Sequence, residues 1–549
     1  MPAQFSKFTF PLSLISLSVI AIITLHISTP VGAGLANDSA AYIAGARSIL
    51  AGTGYSDAWL NSSLEPITHY PPLLSLCLAG IGYMGLDPLR GVRLLNIFLF
   101  GANTFVMGIL GWKASGSRMT GIWAAILFLT NASLLRVHLY ALSEGLYIFL
   151  SLLVFYFFNQ YLQPFANQNN SESNRTNIFW LMLAGFTSGL AFLSRYSALA
   201  LFPTFILAII LFQRSWQKRI IDAGVFITAG IPLIAAWFLR NKLTAGNATN
   251  RTFQFHPISL ENIKPGIYNT SLFLIPVESW QAAVLKSGIF LPLISILVGC
   301  ILIWLGWSTW KKLFHNRIFN PSTITYTTSL YFFGYIFSIL FSMSFFDAST
   351  KLQPRILSPL FTSFILLISI FTNWSWNYCL SFQNKNKFNT SIIFKYFIIL
   401  IAVILTCVNT YGLIKAVNEF RSAGQGYASW KWHDSIVMNS LKNLPTGTII
   451  YTNSPPAVYL VIGLTSRTLP TRLDPVDKKE RTGFDQDVAA MRAELLSGSA
   501  VLVFFDETPV LSQDQTENLG STSKNNYDKF ISGLKILKKT QGDVLYGIK

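Results

Sequence analysis

Long apolar runs recur along this chain with charges almost absent inside them, and that pattern constrains the fold more than any other feature. Windows long enough to cross about 30 Å of hydrocarbon as helices fall near 9–30, 93–112, 119–136, 143–162, 178–194, 196–213, 220–239, 287–308, 323–346, 356–374 and 391–414. Only 12% of the 549 residues are charged, against about a quarter in a soluble domain. The expected fold is therefore an α-helical polytopic membrane protein with about eleven transmembrane helices. The start, Lys7 before an apolar run and Val31-Gly32-Ala33, has the outline of a cleavable leader. The length of the run and the spans after it favour a first transmembrane helix.

Basic residues cluster at Lys113/Arg118, at Arg214/Lys218/Arg219, at Lys311/Lys312/Arg317 and at Lys385/Lys387/Lys395. With eleven spans and a cytoplasmic start, all four clusters fall on the cytoplasmic side, as the positive-inside rule requires. The outer face then receives the first loop 31–92, Arg195, the loop 240–286, the stretch 347–355 and everything after about residue 415. It also receives Asp38, Asp57, Glu65, Asp87, Glu144, Glu261, Glu278 and Asp347. Cations on that face, among them Arg195, Arg240, Lys351 and Arg355, run against the rule and point to an anionic ligand there.

Of the 41 Lys+Arg, 27 precede residue 424, as do only 11 of the 24 Asp+Glu. The basic excess therefore belongs to the membrane part and points to phosphate-bearing lipid rather than nucleic acid. The cysteines, Cys77, Cys300, Cys379 and Cys407, lie far apart in apolar stretches without ligand spacing and read as buried free thiols.

Two domains are expected: a transmembrane module over 1–423, whose outer loop 31–92 carries interfacial helices, and a soluble extracytoplasmic α/β domain over 424–549. In the loop, 38–52 has the pattern of a surface helix that Asp38 can cap and Gly52 and Gly54 stop. Pro71-Pro72 precede a second short element over 73–85. In the C-terminal part, "GTIIYTN" (447–453) and "SAVLVFF" (499–505) read as strands, with "DQDVAAMRAELLSG" (485–498) as a helix between them. "NQNNSESNRTN" (167–177) reads as a polar inner loop.

Chemistry is expected at the outer mouth of the spans. Glu144, in "YALSEGLYIFL", stands at a span end, where an ionisable group is costly unless it has a role. Asp38 and Glu144 together suggest two carboxylates converging on an outward cavity among cations. That suits transfer of a group away from a phosphate: a carboxylate takes the acceptor's proton and cations hold the leaving phosphate. It also suits a proton-coupled transporter. His69 is a candidate for proton transfer or acceptor binding, Arg240 for interfacial snorkelling or phosphate contact, and Asp347 for pairing with Lys351 or Arg355 or for acceptor binding. Asp485-Gln486-Asp487 comes after a charged run, "DKKER", and opens a helix, so it reads as a capping feature. His433-Asp434 reads as a surface helix turn, and no P-loop or GxGxxG stands after a strand.

"NDSAAYIAGARSILAGTGY" with "THYPPLLSL", "LSEGLYIFLSLL", "GLAFLSRYSALALFP", "WFLRN" and "QPRILSPL", in that order over roughly 9–415, resemble the GT-C glycosyltransferases. Within that superfamily the sequence is similar to the bacterial branch that includes aminoarabinose transferase and protein O-mannosyltransferases. The resemblance implies a membrane glycosyltransferase using a polyprenyl-phosphate sugar donor and a lipid, glycan or protein acceptor, on the outer face of the plasma membrane. It implies Asp38 as catalytic base and Glu144 as a second carboxylate of the catalytic site, positioning acceptor or a cation. Arg195 and Arg355, with Lys351 and Arg240, would face the donor phosphate, and Tyr42, His69, Tyr70 and Asp347 would line the substrate site. It also leaves a divalent cation at Asp38 and Glu144 as an option, since only some members use one. The chain departs from the family in having Asn37 and Ser39 around Asp38 where protein O-mannosyltransferases show an Asp-Glu pair. It also has His69-Tyr70 where aminoarabinose transferase carries a basic residue before Pro-Pro. Donor sugar, acceptor and metal stay open. The alternatives are a transporter or flippase of a lipid-linked or anionic substrate, and a non-catalytic subunit of an envelope-assembly complex.

Overall fold

The computed structural model describes residues 8–57, 59–60, 64–162, 172–213, 215–248, 253–314, 322–347, 350–383, 388–473, 480–506, 529–540 and 542–548. Lys7, Arg214, Arg317, Lys385, Lys387, residues 167–171 of the polar loop and 477–479 of "DKKER" lie outside them.

Backbone amides in lipid find no water, so apolar runs must satisfy their hydrogen bonds internally as helices. Nine described helices are long and apolar enough to span: Thr9–Ser28, Pro88–Ser115, Glu144–Leu162, Asn177–Ser194, Trp216–Ala245, Phe290–Lys311, Thr323–Phe345, Pro354–Cys379 and Ile393–Ala423. The other two expected windows take different forms. Arg118–Thr130 and Ala132–Leu139 make a pair bent by 61°. The bend sits at Asn131, which is extended and caps the second helix by accepting from Leu134 N–H at 3.1 Å. Tyr196–Phe212 is a shorter apolar helix, opened by a 3₁₀ turn over Tyr196–Ala200. At about 1.5 Å per residue it reaches roughly 25 Å.

The chain is a multi-pass membrane protein. Threading it through the spans brings Asp38, Glu144, Arg195 and Arg355 to one end of the bundle. Lys113, Arg118, Lys218, Arg219, Lys311 and Lys395 lie toward the other. Of the cysteines only Cys379 is buried; Cys300 and Cys407 are exposed on spans, so in a bilayer they contact lipid rather than core.

The first loop folds over the carboxylate end. Helix Asn37–Leu50 is buried along Ser39–Ala46 rather than lying open on a surface. Its N-cap is Ala36, and Ser39 Oγ accepts from Ala36 N–H at 3.0 Å, so Asp38 is not the cap and its carboxylate is left for other partners. Helix Leu73–Tyr83 starts after Pro72. Between the two helices, β1 (Ser56–Asp57) pairs antiparallel with β2 (Glu65–Pro66).

The C-terminal region holds a five-stranded mixed sheet. Its strands are β3 (Ile449–Thr452), β4 (Arg467–Thr468), β5 (Ala500–Phe504), β6 (Lys535–Lys539) and β7 (Val544–Gly547), in the order β4-β3-β5-β7-β6. β3 lies parallel to β4 and β5, as crossover helices Pro455–Ile462 and Phe484–Leu496 require. Asp485 and Asp487 sit in the first turn of the latter helix, where they favour its positive end.

Candidate active site

Asp38 stands in the first turn of helix Asn37–Leu50, where its two oxygens reach different elements. Arg355 NH1, in the first turn of helix Pro354–Gln383, donates to Oδ2 at 2.5 Å, and the Tyr70 hydroxyl donates to Oδ1 at 3.0 Å. Both members of the ion pair keep partial access, 26% for Asp38 and 33% for Arg355. Burial pushes the Asp38 carboxyl up, but the charge and hydrogen bond of Arg355, the Tyr70 hydroxyl and the charge of Arg195 outweigh it. The group is held below the usual carboxylate value. Burial, and then Asp38 itself, raise the Tyr70 phenol, so Tyr70 stays a donor.

Glu144 opens helix Glu144–Leu162 with its side chain only 1% exposed, and its Oε1 accepts from Arg195 NH1. Arg195 lies between Ser194 and the 3₁₀ turn, in extended conformation. A carboxylate buried this deeply is tolerated because the guanidinium compensates it. Arg355 interacts electrostatically with Glu144 as well as Asp38, and Arg195 with Asp38 as well as Glu144. The four groups therefore form one alternating-charge cluster. Within it, Glu144 Oε2 and Arg355 Nε are buried without a hydrogen-bond partner, which leaves one acceptor and one donor available.

Tyrosines lock the surroundings. Tyr42, one turn after Asp38, shares a hydrogen bond with Ser143 Oγ at 3.1 Å, and Ser194 Oγ donates to Ser143 O at 3.2 Å. Ser143 thus joins the first loop to both elements that carry the Glu144–Arg195 pair. Tyr196 donates to Thr68 O at 3.0 Å and accepts from Trp237 Nε1 at 2.9 Å. Tyr335 donates to Ile356 O at 2.9 Å, beside Arg355. Nothing in the sequence flags Ser143, and Tyr196 is visible there only as the residue after Arg195.

The remaining candidates take several places. His69 packs edge-on against Tyr70, ring centroids 5.0 Å apart. Arg240 donates to Ile67 O at 2.6 Å and Tyr55 O at 2.7 Å, and stacks on Tyr55 and Trp237. It clasps the first loop rather than joining the alternating-charge cluster. Asp347 and Lys351 lie on the connection between helices Thr323–Phe345 and Pro354–Gln383. Arg355 pairs with Asp38, not with Asp347.

Among the described residues no three His, Cys, Asp or Glu side chains gather as metal ligands. Asp38 and Glu144 each already face an arginine. Two arginine-paired carboxylates are therefore what this cluster would offer a cation, with the remaining ligands to come from substrate phosphate and water.

Residues 66–241 match the family described as Dolichyl-phosphate-mannose-protein mannosyltransferase. No curated protein sequence matches the chain significantly. Among solved structures, the chain is similar to ArnT from Cupriavidus metallidurans in the apo state, at 10% identity and TM-score 0.56, over 97% of both chains. It is similar to the same protein bound to undecaprenyl phosphate, at 11% identity and TM-score 0.55, over 97% of this chain and 98% of that one. It is also similar to the oligosaccharyltransferase AglB from Archaeoglobus fulgidus, in complex with an inhibitory peptide and a dolichol-phosphate. There the identity is 12% and the TM-score 0.54, over 100% of this chain and 75% of that one. These likenesses establish the fold, which is that of the GT-C polytopic membrane proteins.

Proposed function

We propose that this GT-C-fold chain is an inverting membrane glycosyltransferase that moves a hexose or pentose from a polyprenyl-phosphate donor to an envelope lipid, glycan or protein. The observation that carries the reading is the pairing of two carboxylates with two arginines at one mouth of the bundle. The family match over 66–241 and the lipid phosphates named in the structures of similar fold support the donor class. The positive-inside pattern supports an outer-face position for the site and the C-terminal sheet.

The mechanism rests on the cluster's charge balance. While Arg355 holds Asp38, the carboxylate is a weak base. A guanidinium binds phosphate as it binds carboxylate, bidentately, so an arriving donor phosphate competes with Asp38 for Arg355, which turns toward it with Arg195 beside it. Asp38, losing its cation in a partly desolvated place, becomes more basic. Its oxygen takes the proton of an acceptor hydroxyl as the hydroxyl oxygen attacks the anomeric carbon. The carbon–oxygen bond to phosphate breaks, and the electron pair leaves with polyprenyl phosphate, whose charge the arginines hold. Glu144, closed over by its partner, acts from behind Arg195 and holds that guanidinium toward the phosphate. Tyr42, Tyr70 and His69 shape the pocket, Asp347 and Lys351 border it, and Arg240 keeps the loop in place.

The test is sugar transfer by the purified protein in lipid nanodiscs, offered a panel of radiolabelled polyprenyl-phosphate sugars with native membrane extract as acceptor. Label moving from donor to an acceptor fraction is the expected result. No transfer across the panel would overturn the reading.

A further inference from the structure

Three backbone segments are stitched together beside the site. Gly34 N–H donates to Leu139 O at 3.0 Å, and Ala141 N–H donates to Gly34 O at 2.8 Å. On the other side, Leu35 N–H donates to Gln425 O at 3.2 Å, and Tyr427 N–H donates to Leu35 O at 2.9 Å. Residues 34–35 are thus the middle strand of a short parallel arrangement, with Tyr140 on one flank and Gly426 on the other. One position requires glycine: a Cβ on Gly426, whose φ is 57°, would meet the backbone oxygen of Leu35 at 1.9 Å, while one on Gly34 would press only on the Leu139 side chain.

Each stitched segment leads directly into a part of the site or its surroundings. Three residues after Leu35 comes Asp38, three after Ala141 comes Glu144, and Gly426 leads into the C-terminal region. The Tyr427 hydroxyl donates to Asn37 Oδ1, one residue before Asp38, while the Tyr427 ring packs edge-on against Trp432 at 5.0 Å. Backbone pairing alone already docks this segment. The hydroxyl adds a restraint on the first residue of helix Asn37–Leu50, whose Ala36 cap has no side-chain oxygen of its own.

We infer that Tyr427 is a positioning residue that sets the orientation of Asp38 through Asn37, so that the C-terminal region is part of the catalytic apparatus rather than an appended cover. The inference rests on Asp38 being the base. Its neighbours Arg355, Tyr70 and Arg195 fix the carboxylate's far side, and the Tyr427–Asn37 bond fixes the backbone that carries it.

The experiment compares full-length variants in nanodiscs on whichever donor the wild type turns over. Tyr427→Phe is expected to lower kcat about 10-fold, within what a small misplacement of a reacting group costs, with donor KM and Tm unchanged. Asn37→Ala should do the same, and the double variant should lose no more than either single one. Tyr140→Phe removes the hydroxyl bond to Gln425 Oε1 on the same stitch and should leave kcat unchanged. The inference is overturned if Tyr427→Phe keeps full kcat, or if kcat and Tm fall together to a similar extent in Tyr427→Phe and Tyr140→Phe. A wild type without turnover on any donor would instead overturn the transferase reading, and this inference with it.

Discussion

Arg355 lies 317 positions along the chain from Asp38, yet its NH1 sits 2.5 Å from Asp38 Oδ2. The first outer loop and the start of a late span are thereby joined at the point where chemistry is proposed. The pair is partly open to solvent, whereas the neighbouring Glu144–Arg195 pair is closed over its carboxylate. One pair is placed to change partners and the other to hold.

Arg355→Gln removes the cation proposed to hold the leaving phosphate. Loss of one such preorganised donor costs on the order of 10²–10³ in kcat, and kcat/KM for the lipid donor should fall by at least that much. Arg355→Lys keeps the charge but not the fork and should recover only part. Steady-state kinetics on the two variants checks this.

Breaking the closed pair should appear as instability. Glu144→Gln leaves Arg195 uncompensated, and removal of one member of a buried pair costs about 3–5 kcal/mol. Replacing both, as Glu144→Gln with Arg195→Gln, should return part of the loss. Thermal unfolding in detergent reads both variants, and a single variant as stable as wild type would contradict the argument.

The pH dependence comes from the direction of the Asp38 shift. Its folded value is below the ordinary 3.8, so its contribution to stability is complete above about pH 3.8 and is lost as pH falls through the lower folded value. For the free enzyme, kcat/KM should therefore show no acid limb from Asp38 near neutrality. In Arg355→Gln the largest lowering influences vanish while burial stays, so the carboxyl rises from its wild-type position and an acid limb should move upward. An unchanged profile in that variant would separate Asp38 from the reaction.

Arg240 binds the first loop through Ile67 O and Tyr55 O. Arg240→Met should raise protease cutting within 55–67 by at least about tenfold, since hydrogen bonds to a charged donor contribute about 1.5–3 kcal/mol each. A digestion pattern identical to wild type would remove this role.

The spans are legible because apolar runs in lipid have one structural outcome, and Asp38, Glu144, Arg195 and Arg355 stand out as charges at their ends. What the sequence hides are decisions made by single polar contacts. Asn131 bends one span by capping a helix inside it, and the 3₁₀ turn after Arg195 shortens another. Composition over a window averages such residues away. Asp38 has the pattern of a helix cap, but Ser39 does that work. β6, with three lysines in five residues, carries no apolar alternation and does not read as a strand; its pairing to β7 supplies what its side chains do not. Tyr427 and Ser143 act through partners 390 and 101 positions away, distances at which periodicity carries no information.

The most direct test of the central claim is single-turnover sugar transfer by wild type and Asp38→Asn in the same nanodiscs, with donor binding measured in parallel. In Asp38→Asn the rate is expected to fall at least about a hundredfold, the size of losing a general base, with the donor still bound. A variant that transfers sugar at the wild-type rate would contradict that claim.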